Sequence, residues 1–266
     1  PDPGYLGSAN QDPVGQTFDG DAFNGPVVDG RPLYVGAFYD IGFRLGRITR
    51  LIEAIKATTT AASVEDMQGI QRDTFSNVGN VMRPHIAASF AALEEELANP
   101  GTHPDLADVA ALPAADRARI GDAAALLAAW SLETSPAVDA ATSAAEAVDS
   151  AATVVLNNWM VYFLRDTFGD ELALLGRNVD SQTTTRTALN VFADPSFLLT
   201  GVSSTTGEAV LCDDLNTLAV ESCRHNALVA LNEAMTWAAS TFSSTDPNDW
   251  RWGEIHTLTL ASQLPN

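Results

Sequence analysis

Four histidines, His85, His103, His225 and His256, are the side chains best suited to move a proton near neutral pH, and their spacing suggests no metal cluster. His256 falls in a strand-like tail and His225 near a helix start, so each reads as a structural or surface histidine. The motifs of a self-contained site are missing, with no HExxH, GxSxG, P-loop or GxGxxG. Serines are numerous, yet none sits in a nucleophile motif. The two cysteines, Cys212 and Cys223 in VLCDDLNTLAVESC, match neither a CxxC metal site nor a thioredoxin motif. They are either two buried thiols or a local disulfide that closes a short loop onto the start of the following helix. The second reading would imply an oxidising compartment.

Any site must therefore be assembled by the elements around it. Residues 1–36 are dense in Gly, Pro, Asp and Asn, the composition of turn and loop, and only GYLGSAN near the start could be a strand. From residue 37 to 249 the pattern is helical. Ile41, Leu45, Ile48, Ile52 and Ile55 mark one face of an amphipathic helix that also carries Arg44, Arg47 and Arg50. Ser63 with Asp66 is a helix start, and SVEDMQGIQRDTFSNV continues helically until Arg83-Pro84 breaks or kinks it. Ile86, Phe90, Leu93 and Leu97 make the next helix, ending at Asn99-Pro100-Gly101. Another follows Pro113 to about Trp130.

The stretch from Ser143 to Leu175 is the longest helical candidate, and its apolar VVLNNWMVYFL predicts a second half buried centrally. Residues 177–210 are weakly patterned. Leu228, Leu231, Met235, Ala238 and Phe242 mark a last amphipathic helix, and residues 250–266 form a tail in which HTLTL alternates like a strand. The fold class is mainly α, with five or six principal helices between short extended ends.

GYLGSANQDP, GFRLGRITRLIEA, SVEDMQGIQRD, TVVLNNWMVYFLRDTFGDEL and WRWGEIHTL, in this order over almost the whole chain, resemble an internal part of the β subunit of the penicillin acylase family of N-terminal-nucleophile amide hydrolases. The resemblance implies an acylase that cleaves an acyl group from an amine, and a helical lobe whose extended ends join an αββα sandwich in the parent enzyme. In the family the N-terminal residue of the β subunit attacks the amide and its own α-amino group is the base. Asn10 matches the asparagine that donates to the oxyanion, and Arg44, with Arg47 as its neighbour, matches an arginine near the reaction centre. Asp21, or Asp19 two residues earlier, matches an aspartate that helps to hold a structural calcium ion, a hard cation suited to oxygen ligands.

The departures are as informative. Residue 1 is Pro, whose secondary amine cannot act as an N-terminal Ser does, and no nucleophile precedes Asn10. The expectation is a piece of an acylase, inert alone, whose partners are the remaining segments of the α and β subunits and whose substrate is a small acylated amine. Its exposed ends should make it associate. A non-catalytic helical binding or assembly module is the competing expectation.

Size and charge bound both readings. The chain has 266 residues, 46% of them apolar, enough for a sizeable core. With 34 acidic residues against 14 basic ones the formal charge is −20, which repels phosphate backbones and anionic lipid. Neither nucleic acid nor a membrane is expected as a partner. The acidity suits the solvated outside of a periplasmic or secreted enzyme.

Overall fold

In the computed structural model, residues 4–12, 27–32, 39–59, 61–179, 184–185, 188, 211–214, 216–217 and 220–259 are described, and among them eight α-helices account for most of the regular structure. The fold is mainly α, as its apolar periodicity predicts. Two units divide the chain, Pro1–Asp73 with Gln182–Asn190, and Thr74–Ser181 with Val191–Asn266.

The first unit carries α1 (Phe43–Thr58), α2 (Val64–Gln71) and a hairpin of β1 (Val27–Val28) and β2 (Arg31–Pro32). The hairpin turns on Asp29 and Gly30 at φ of 50° and 75°, the two positive values that match strand twist and that Asp-Gly supplies. Ser63 and Asp66 close the expected capping box at the start of α2. GYLGSAN runs along α1 without a strand partner among the described residues. A Cβ at Gly7 would lie 2.9 Å from Leu45 Cδ1, and Lys56 Nζ sits 5.1 Å over the Tyr5 ring. The only ladder contact in this segment among the described residues is an isolated parallel bridge between Gln11 and Asp40, because a lone extended segment needs a neighbour to become a strand. No residue of α1 or α2 is fully buried, and Ile52, Ile55, Met67 and Ile70 line an open apolar cavity of about 370 Å³ with Tyr5 and Leu6.

The second unit contains α3 (Asn77–Ala98), α4 (Ala107–Ala110), α5 (Ala114–Ala129), α6 (Ala144–Leu174), α7 (Cys223–Phe242) and α8 (Trp252–Ile255). Its core is built on α6 and α7. Trp159 is fully buried, stacks on Phe163 at 4.8 Å and donates its indole N–H to the Ala227 carbonyl at 2.8 Å, so one side chain both fills the core and satisfies its polar atom. Gly79 admits Trp130 against the backbone of α3, since a Cβ there would fall 2.3 Å from the ring.

Three expectations change. Of the break or kink expected at Arg83-Pro84, the break is excluded, because α3 runs through Pro84. Pro84 is exposed, and so is Asn80, whose carbonyl loses its usual donor and can turn to water, while Met82 and Ile86 hold the opposite face in the core. The break comes earlier, after α2, where Ser76 N donates to Leu132 O and Thr134 N to Thr74 O, so pairing with residues 132–134 outweighs helix propensity.

The burial of α6 also sits elsewhere. Residues 149–156 are buried all round, whereas in 157–164 Asn157 and Val161 are exposed and only one stripe faces the core. Finally, HTLTL is not a strand within the described residues. Trp252–Ile255 is a helical turn with His256 stacked on Trp252, and residues 257–259 have no regular structure. Cys212 and Cys223 are joined as a disulfide, with Cα atoms 5.0 Å apart, which resolves the two readings of this pair.

Candidate functional site

Asn10 and Arg44, 34 residues apart in sequence, meet where the amino-terminal segment passes the start of α1. Asp40 N donates to the Asn10 carbonyl at 2.8 Å, and Asp40 Oδ1 accepts from Gly42 N at 3.0 Å. Gly42, at φ 91°, turns the chain into the helix. Arg44 then lies in the first turn, and its Nη1 donates to Asn10 Oδ1 at 3.3 Å.

That contact orients the amide. A guanidinium only donates, so the amide oxygen must face it and the Nδ2 hydrogens point away. Among the described residues Nδ2 has no acceptor. Asn10 is exposed and adopts φ 60°, the left-handed region that Asn tolerates better than most residues. The first turn of α1 carries no acidic side chain, so the positive end of the helix and Arg44 both favour negative charge near this amide. The arrangement is an uncharged double donor beside a fixed cation.

Arg47 is engaged elsewhere. Its Nε and Nη2 reach the two carboxylate oxygens of Asp73 at 2.9 and 2.5 Å, a fork that ties α1 to the end of α2. Of the two arginines, only Arg44 bonds to Asn10. The roles of Gln11 and Asp40 in holding this corner were not foreseen. Asp40 two residues before Gly42 is a legible turn signal, whereas nothing in the residue type of Gln11 marks it.

The histidines have structural neighbours. His103 Nε2 is 2.8 Å from Glu95 Oε2, and His225 Nε2 is 2.8 Å from Asp108 Oδ2. Burial lowers the pKa of His85. Among the described residues no three His, Cys, Asp or Glu converge as a metal site.

The sequence profile of the penicillin amidase family matches residues 1–265. The chain belongs to the penicillin amidase family. No curated protein and no solved structure gives a significant match. Membership makes this an acylase-like amide hydrolase chain. The two aspartates expected to bear on calcium, Asp19 and Asp21, lie outside the described residues.

A second electrostatic feature of this penicillin amidase family chain lies at the end of α6. Burial, reinforced by Asp170 and by the charge of Asp213, pushes the Glu171 carboxyl up to about 7. Burial also raises Asp166, against the opposing pull of Arg165, which bonds Glu233 as well.

Proposed function

We propose that this chain supplies the oxyanion-stabilising corner of an acylase that cleaves a small acylated amine. The observation that carries the reading is the amide of Asn10, held through its oxygen by Arg44 with both Nδ2 hydrogens unengaged among the described residues. Attack on an amide carbonyl turns a neutral oxygen into an oxyanion, and donors aimed at that point stabilise the transition state more than the substrate. Asn10 Nδ2 donates to the oxyanion. Arg44 keeps the amide oriented and adds positive potential without donating its own proton. The nucleophile and its α-amino base belong to the amino terminus of the β subunit, and the acyl pocket is completed by other segments of the α and β subunits.

A structural calcium ion bound in part by Asp21 or Asp19 belongs to the same reading, and no chemical step runs through it. Export to a periplasmic or extracellular compartment is supported by the Cys212–Cys223 disulfide, since such bonds persist under oxidising conditions. In the intact acylase, Asn10→Ala should lower kcat by about 10²–10³ with little change in KM, because the donor acts on the transition state. Unchanged turnover with a chromogenic acyl amide would remove Asn10 from the site.

A further inference from the structure

We propose that Gln11 is a positioning residue for the Asn10 amide, clamping the backbone on either side of it; this rests on the reading of Asn10 as an oxyanion donor. The geometry is local. Gln11 Oε1 accepts from Ala9 N at 2.7 Å, so a side chain one residue after Asn10 bonds the backbone one residue before it. The loop this closes encircles Asn10. Its neighbours are sunk into the structure, with Ala9 3% and Asp12 5% exposed, while Asn10 itself stands out.

The clamp has work to oppose. A left-handed backbone costs a residue with a Cβ about 1–2 kcal/mol and survives only where surrounding contacts over-determine it. Two contacts do so here. One is the bond from Asp40 N to the Asn10 carbonyl, next to the bridge between Gln11 and Asp40. The other is the Gln11 side chain. Without it the buried Ala9 N–H loses its acceptor, a vacancy that the chain relieves by rotating the 8–9 peptide that carries this N–H, and with it the backbone leading into Asn10. Rotation there swings the Asn10 side chain off Arg44, and an oxyanion donor displaced by about 1 Å loses much of its effect. Gln11 touches no reacting atom, so its influence passes entirely through Asn10.

The intact acylase carrying this chain tests the assignment. Gln11→Met keeps the length and stem of the side chain and removes the acceptor, and kcat should fall about tenfold with KM nearly constant. Gln11→Glu retains an Oε acceptor and should recover most of that loss. Gln11→Ser, too short to reach Ala9 N, replaces the Met variant should that one fail to fold. The decisive readout is a double-mutant cycle, since Gln11→Met placed on Asn10→Ala should cost nothing further. The same tenfold loss on that background, or full kcat in both Gln11→Met and Gln11→Ser, overturns the positioning role. If Asn10→Ala alone leaves kcat unchanged, the donor reading itself fails; if Asn10→Ala lowers kcat while Gln11→Met does not, only the clamp is refuted.

Discussion

Arg47 commits both branches of its guanidinium to Asp73, while Arg44, three residues earlier on α1, reaches Asn10 through a single 3.3 Å contact. In the sequence Arg44 was the match and Arg47 the neighbouring possibility, because residue type and helical spacing say nothing about which partner waits on the far side. Asn10 was legible only through family likeness; by itself it resembles any Asn before a turn. The structure separates the arginines and makes their variants behave oppositely. Removing a half-buried forked ion pair costs about 1–2 kcal/mol, so Arg47→Ala should lower the unfolding midpoint while leaving kcat close to wild type. Arg44→Ala should lower kcat about tenfold with little loss of stability, since its side chain is exposed. Denaturant titration and initial rates on the same preparations check both, and the reverse pattern would reassign the roles.

Helices with strong apolar periodicity, such as α1 and α7, were readable because one apolar face is written in residue spacing. A break at Pro84 and a strand in the tail are absent among the described residues because each depends on a neighbour: α3 tolerates a solvent-facing proline that its core face outweighs, and HTLTL has no strand beside it among those residues. The end of α6 adds a property that periodicity never shows. Glu171, with Oε2 buried and without a bonding partner among the described residues, has its carboxyl raised from an ordinary 4.5 to about 7 by burial first and then by Asp170 and Asp213. A carboxyl raised in the folded state contributes stability fully present below its ordinary pKa and lost as pH climbs through the folded value. Ionisation of Glu171 therefore weakens the fold between about pH 4.5 and 7. Glu171→Gln removes that penalty. It should stabilise the protein by about 1 kcal/mol at pH 8, allowing for solvent screening at a site only partly buried, and leave stability at pH 4 unchanged. Thermal melts at the two pH values read the difference; an equal shift at both would mean that packing, not charge, is at stake.

Across the whole chain, a formal charge of −20 opposes compaction through self-repulsion, and covalent closure is one of the features that resist it. Cys212 and Cys223 are each 0% exposed, and Asn226, one turn further into α7, bonds the Cys212 carbonyl at 2.8 Å and the Asp166 carbonyl at 2.9 Å. The disulfide thus anchors the loop before α7 to the same pair of helices that forms the core of the second unit. Two cysteines with ten residues between them suggested this bond without deciding it, because spacing fixes neither burial nor the approach of the two Cβ atoms. Joining residues 11 apart removes about 3 kcal/mol of loop-closure freedom from the unfolded chain. The paired variant Cys212→Ala/Cys223→Ala should lose about that much stability in denaturant titration, somewhat more if the two side chains leave a void. Since both sulfurs are sealed, reductant should leave the native bond intact at neutral pH and cleave it once denaturant opens the core. Thiol titration follows this directly. Rapid release of two thiols from the folded protein would show that the bond is exposed in solution and does not hold the core.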